Sequence, residues 1–198
     1  PPALADLDAS YDMVIFLNDV SFSASDIMRL VHTDAPYDMV CGLDHYKDAV
    51  PTKLQKRQFY DVWVGRDLDG GMMQRDFPFF GTRFDQSAVI AEAPVPVGCC
   101  WNGGVVAKAS IFTQSEVRFR RAAQDDGAGE CDDSECSVFC RDLWKAGYHR
   151  IYVNPAVWLG YRYADRNINE AKSVRGPVPN VRRPALPLPS ANEVWRRS

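Results

Sequence analysis

The chain has 198 residues, of which 46% are hydrophobic and 25% charged, with a formal net charge of -3 and a pI near 5.6. That length suffices for one sizeable domain with a buried core, and the apolar share is that of a globular chain rather than a disordered one. The acidic balance argues against a nucleic-acid partner, because such proteins carry a basic footprint.

No apolar run approaches the ~20 residues of a membrane-spanning helix, and no charged start followed by an apolar stretch marks a signal peptide. The chain opens Pro1-Pro2-Ala3 without a Met, so it reads as a piece of something longer or as a processed product.

The first apolar run, Tyr11 to Val20, is β-branched and aromatic and reads as a buried strand ending in Asn18-Asp19. Ser23 with Asp26 three residues on resembles a capping box, and Ile27, Leu30 and Val31 follow at helical spacing. Tyr37 to Leu43 is a second short strand, ending at Asp44. Gln58 to Val64 partly alternates and leads into Arg66-Asp67-Leu68-Asp69-Gly70-Gly71, where the glycines signal a turn. Pro78 to Phe84 is an aromatic segment expected to loop over a cleft.

Ala93 to Ile111 holds a proline-bounded strand, the turn Trp101-Asn102-Gly103-Gly104, and a second strand through Val105, Val106 and Ala107. Gln124 to Glu130 is acidic and glycine-rich, as surface loops are. In Ser134 to Ala146, Cys136, Phe139, Cys140, Leu143 and Trp144 recur at helical steps, with Gly147 placed as a C-terminal cap. Tyr148 to Tyr161 reads as a strand pair or strand-loop around Asn154-Pro155. Residues 171–198 carry five prolines and six Lys/Arg against one Glu. This composition marks a Pro-rich basic tail, taken to begin at 165, beyond a domain spanning 1–164.

Alternating strands and helices predict an α/β fold with a sheet between helix layers. Ligands in such sheets sit beyond the carboxyl ends of the strands, and three strand-like runs here end in acids: Asp19, Asp44 and the Asp67/Asp69 pair. The six cysteines form no Cys-x-x-Cys pair, which argues against a structural zinc site. They fit either reduced core cysteines or one or two disulfides of a secretory-pathway protein.

Asp19, just past a strand, can hold a divalent ion that in turn holds a diphosphate, or it can simply cap the following loop. Asp67-Leu68-Asp69 would aim two carboxylates at one ion only if the segment were extended; otherwise it is a solvated loop. Trp101 offers a flat face to a sugar ring, Asn102 a donor and an acceptor, and Gly103 room for close approach; the same residues also fit a hairpin turn with a core Trp. The helix dipole favours a carboxylate at Glu135, which could serve as a base on an acceptor hydroxyl, or be an ordinary first-turn Glu. His32, His45 and His149 share no ligand spacing.

Taken in order, these segments resemble the fungal α-1,3-mannosyltransferases of capsule polysaccharide synthesis, glycosyltransferase family 69. The resemblance rests on Phe16-Leu17-Asn18-Asp19-Val20, Phe22-Ser23-Ala24-Ser25-Asp26-Ile27, Asp38-Met39-Val40-Cys41-Gly42-Leu43-Asp44 and Tyr60-Asp61-Val62-Trp63-Val64-Gly65-Arg66-Asp67-Leu68-Asp69-Gly70. It continues through Cys100-Trp101-Asn102-Gly103-Gly104, Ser134-Glu135-Cys136, Asp142-Leu143-Trp144 and Ile151-Tyr152-Val153-Asn154-Pro155, and covers residues 11 to 161.

The resemblance implies a GT-A-like mixed sheet flanked by helices. It also implies a GDP-mannose donor, a divalent cation (Mn²⁺ or Mg²⁺), a glycan or polysaccharide acceptor and a retaining outcome. It further implies a type II membrane parent protein of the Golgi lumen, with a membrane anchor expected only in a longer parent chain. Such proteins carry a further α/β segment ahead of the Asn-Asp strand, so this chain is expected to lack its N-terminal nucleotide-binding part.

The implied roles are metal binding for Asp19, Asp67 and Asp69, and donor or acceptor contacts for Asn18, Arg66, Trp101, Asn102 and Gly103. Glu135 is the carboxylate at the reacting centre. Competing readings are a non-catalytic carbohydrate-binding or assembly partner and a metal-dependent nucleotidyl or phosphoryl transferase.

Overall fold

A computed structural model describes residues 11–46, 58–123 and 134–161. The acidic loop at 124–130 and the tail from 165 lie outside the described residues. The elements in chain order are β1 (Met13–Leu17), α1 (Ala24–Val31), β2 (Met39–Tyr46), β3 (Gln58–Phe59), α2 (Arg83–Ile90), β4 (Val95–Pro96), β5 (Gly104–Lys108), α3 (Ser110–Thr113), α4 (Glu135–Lys145) and β6 (Ile151–Gly160).

They build a mixed sheet of order β1-β5-β2-β6-β4, with β3 paired to β2. β5 runs antiparallel to both β1 and β2, and β6 runs parallel to β2. β1, β2 and β6 therefore end at one pole of the sheet, where β5 begins.

The two-residue period of the strands sorts their side chains between two layers. Met39, Cys41, Leu43, Val105, Ala107, Ile151 and Val153 join the larger core, together with Phe139, Leu143 and Trp144 of α4. Val40, Val106, Val157 and Leu159 face the other way and close on Leu30 of α1. Along β6 the register slips: β2 advances from Cys41 to Leu43 while β6 advances from Val153 to Trp158. The extra residues free Asn154, whose amide donates to Thr33 Oγ1 (2.9 Å) and the Arg29 carbonyl (3.2 Å), tying α1's last turn to the sheet.

The helix signals act as the sequence predicts. Ser23 and Asp26 form a reciprocal capping box on α1, and Ser134 caps α4 by accepting from the Ser137 amide at 3.1 Å. Gly147 takes φ 92° just past α4.

Four expectations need correction. Among the described residues β1 pairs with β5 alone, and Ile15 is 45% exposed, so there the apolar run is not a buried strand. An apolar composition fixes strand type, not whether a neighbour lies on both sides. Beyond Phe59 the segment 60–65 leaves the sheet as a turn. Its alternation arises because Phe59 and Val64 are core residues whereas Tyr60 and Trp63 are exposed. Phe79 and Phe80 are core residues, not a loop over a cleft. Helix α2, capped by Thr82 accepting from the Asp85 amide, follows where no helix was expected.

Two disulfides, Cys41–Cys100 and Cys99–Cys140, fasten adjacent cysteines of one loop to β2 and to α4. Cys136 is free, and Cys131 lies outside the described residues.

Candidate functional site

The pole where β1, β2 and β6 end gathers the acids. Past β1, the Asn18 amide donates to the Gly103 carbonyl (2.8 Å) and the Ser21 amide to the Gly160 carbonyl (2.6 Å). The 18–21 loop thus reaches from the start of β5 to the end of β6. Gly103 makes this crossing possible: it has φ +63°, and a Cβ there would stand 2.6 Å from Val20 Cγ1 and 3.4 Å from Asp44 Cβ. Asn18 and Asp19 are left exposed on top of the loop.

Beneath it, Asp44 near the end of β2 is 0% exposed. Its Oδ1 accepts the Asp61 amide at 3.2 Å, and its Oδ2 accepts the Tyr161 hydroxyl at 3.1 Å. The Asp61 carboxyl lies near enough to Asp44 for the two side chains to shift each other, raising Asp44 and lowering Asp61. Burial, reinforced by the charge of Asp61, pushes the Asp44 carboxyl well above the usual range. Burial also raises Asp61, with the Asp44 side chain opposing and the charge of Asp19 adding to the rise. Tyr161 is raised by burial and then by Asp44, Asp61 and Asp19. These groups form one electrostatic neighbourhood.

It extends to the start of α4. The Cys136 thiol is pushed up to about 12 by burial, then by Glu135 and Asp61. Glu135 itself is exposed on the first turn. A raised thiol carries little thiolate, the nucleophilic form.

The remaining predicted residues are placed as follows. Trp101 is half-buried, with ring centroids of Phe16, Phe119 and Phe139 at 5.1, 5.0 and 5.4 Å. Asn102 is 0% exposed; its amide nitrogen donates to the Gly42 carbonyl at 3.2 Å and its oxygen accepts the Trp101 amide at 3.1 Å. Arg66 is buried and its Nη1 donates to the carbonyls of Trp63 (2.6 Å) and Gly65 (3.2 Å).

Asp67 and Asp69 do not lie in an extended segment. Asp67 Oδ1 accepts the amides of Asp69 (3.0 Å) and Gly71 (2.7 Å), so that carboxylate closes its own turn while Asp69 is exposed. Two glycines after a short acid favour this turn over a strand. Burial raises Asp67, against the hydrogen bonds from Gly71 and Asp69.

The pole thus brings together Asn18, Asp19, Trp101, Asn102 and Gly103 of the predicted set, while Glu135 stands exposed on the first turn of α4 beside Cys136. It adds Asp61 and Tyr161, which were not singled out. The available signal for Asp61 was an acid inside an aromatic, apolar run.

Metal holding can be tested against this geometry. Among the described residues, no group of three or more His, Cys, Asp or Glu could enclose an ion. Mg²⁺ and Mn²⁺ do not need such a cage when a substrate diphosphate supplies the rest of the shell; one or two carboxylates suffice. The exposed Asp19 over raised acids fits that open arrangement with hard oxygen donors.

The opposite pole differs. Asp38, at 2% exposure, receives Lys108 Nζ at 2.9 Å and Arg150 Nη2 at 2.6 Å. Burial pushes its carboxyl up, but the hydrogen bonds from Arg150 and Lys108 outweigh this and hold it below the usual range. A shallow groove of about 1000 Å³, lined in part by His32, Tyr37, Lys108 and Arg150, sits here. Its two cations, Lys108 and Arg150, are already paired with Asp38, so volume alone does not make it the reactive site.

The family model described as Cryptococcal mannosyltransferase 1 matches residues 2–142. Alpha-1,3-mannosyltransferase CMT1 of Cryptococcus neoformans var. neoformans serotype D is 32% identical over 163 residues, covering 76% of this chain and 33% of that protein. The chain therefore spans about a third of the length of the curated relative it matches. No solved structure matches.

Proposed function

The chain belongs to the cryptococcal mannosyltransferase 1 family, and from that premise we propose that it carries the acidic half of a mannosyltransferase site. The reaction is transfer of mannose from GDP-mannose to a hydroxyl of a glycan or polysaccharide, on a GT-A-like sheet. The observation that carries this reading is the cluster of Asp19, Asp44 and Asp61 with Tyr161 at the carboxyl ends of β1, β2 and β6.

Departure of the sugar leaves a nucleoside diphosphate with growing negative charge, and a divalent cation supplies the charge that offsets it. Asp19 would hold that cation, with Asn18 beside it as a polar contact. The 18–21 loop is fixed at both ends by main-chain hydrogen bonds, so Asp19 is presented without a large ordering cost. Trp101 is the sugar platform of this reading, held by its three aromatic neighbours. Glu135, on the first turn of α4, is the carboxylate aimed at the acceptor hydroxyl or the developing sugar cation. Arg66, Asn102 and Gly103 shape the floor. Asp67 and Asp69 are left as acceptor-side acids rather than a shared metal pair.

Two disulfides support an oxidising compartment, and we place the protein in the secretory pathway, in a Golgi setting. Among the described residues no helix is long and apolar enough to cross a membrane.

The test is release of GDP from GDP-mannose by the purified protein, with and without acceptor, Mn²⁺ or Mg²⁺, and chelator. Turnover that requires the cation and is lost in Asp19→Ala supports the assignment. Turnover that survives both chelator and Asp19→Ala sinks it, and release of pyrophosphate instead of GDP indicates a nucleotidyl transferase.

A further inference from the structure

Asp44 is a costly residue to bury. A carboxylate removed from water with no cation beside it is strongly disfavoured, and such a group keeps its proton instead. Among the described residues, the groups facing Asp44 are the Asp61 carboxyl and amide and the Tyr161 hydroxyl, while the charge of Asp19 acts on Asp61 and Tyr161. Gly103 packs close to Asp44, where a Cβ would stand 3.4 Å from the Asp44 Cβ. The Tyr60 amide donates to the Asp44 carbonyl at 3.1 Å, and the Tyr60 and Tyr161 rings stand 4.4 Å apart. The end of β2 and the 60–61 turn are thereby locked together, and Asp61, only half-buried, is the member of the pair that meets the site.

We propose that Asp44 is a positioning residue: as a neutral acid it donates its proton in a hydrogen bond to the Asp61 carboxylate. That bond fixes Asp61 facing the space beside Asp19, where it accepts a hydroxyl of the bound sugar. A carboxylic acid kept neutral by its surroundings so that it can donate is established chemistry for buried sites. The Tyr161 hydroxyl and the Asp61 amide occupy the acceptor positions of Asp44, leaving its own proton for Asp61. The role of Asp61 toward sugar rests on the mannosyltransferase reading; the neutral Asp44 donor does not.

The experiment compares wild type with Asp44→Asn, Asp44→Ala and Asp61→Asn. Transfer kinetics and thermal midpoints are measured, together with infrared spectra of the carboxyl C=O region at neutral pH. Asn keeps a donor at position 44 and Ala does not. The expected result is that Asp44→Ala and Asp61→Asn each lower transfer by about 10- to 100-fold, the usual cost of losing a group that orients another. Asp44→Asn restores most of that loss and most of the thermal stability. Wild type shows a protonated-carboxyl band that disappears in Asp44→Asn. An Asp44→Asn variant as impaired as Asp44→Ala, or a wild type without that band, overturns the proposal. A folded wild type that transfers no mannose rejects the functional reading instead, and the band with the stability order then decides the pair alone.

Discussion

Asp38 and Asp44 lie six positions apart near the two ends of one stretch of chain, both removed from water, and they are handled in opposite ways. At Asp38 the fold supplies two cations, Lys108 and Arg150, and the charge is matched. At Asp44 it supplies another acid, a phenol and an amide. The first arrangement needs nothing more to be stable. The second concentrates acid beside an exposed loop that carries a further Asp, which is costly unless a cation or substrate uses it. The poles are also held differently. Ion pairs close the lower one. The upper one is held by two disulfides and by a loop crossing over Gly103.

That contrast can be broken most severely at the disulfides. Replacing Cys99 and Cys140 with Ser is expected to cost about 2–4 kcal/mol. It should also loosen the Cys100–Gly103 floor. Denaturant melts of the double variant check the size, and proteolysis mapping shows whether cleavage starts at 99–103. Cleavage starting instead around Asp38 would place the weak point at the wrong pole.

Asp38→Asn tests the lower pole. Loss of its charge-assisted bonds is expected to cost about 1–3 kcal/mol at neutral pH, toward the low end because both cations are partly exposed. The sign follows from the depressed carboxyl. In wild type the contribution is present above the unfolded carboxylate pKa and is lost as pH falls through the lower folded value. The gap between wild type and Asp38→Asn should therefore close in acid, and a gap that persists there contradicts the ion-pair account.

Gly103→Ala is the smallest change in side-chain chemistry and touches the upper pole alone. The left-handed backbone and the contact with Val20 predict a loss of about 1–3 kcal/mol. The loop bearing Asp19 should shift with it, seen as weaker cation binding by the folded variant. Unchanged stability would mean that the 18–21 loop does not pass over Gly103 as described.

Much of this was legible in the sequence because it is local. The Ser23/Asp26 capping box, the Ser134-capped helix and the strand through Val105 and Val106 depend on neighbours a few residues away. Pairing across the sheet is not local. Nothing in Met13 to Leu17 says that, among the described residues, β1 pairs on one side alone, and nothing in Asp67-Leu68-Asp69 says that the first acid folds back on its own turn. Asp61 was unreadable for the same reason. Its importance comes from Asp44, seventeen residues earlier, and Tyr161, a hundred later, which meet only once β2 and β6 are paired.

The central claim, that the reactive pole is the one bearing Asp19 and Asp44, is tested most directly by mannosyl transfer from GDP-mannose. Asp19→Ala and Asp38→Asn should be assayed side by side at a temperature where both are folded. The account predicts that Asp19→Ala loses at least about 100-fold in kcat/KM. It predicts that Asp38→Asn, less stable though it is, transfers nearly as fast as wild type. Wild-type transfer by Asp19→Ala, or an equal collapse of Asp38→Asn, would contradict it.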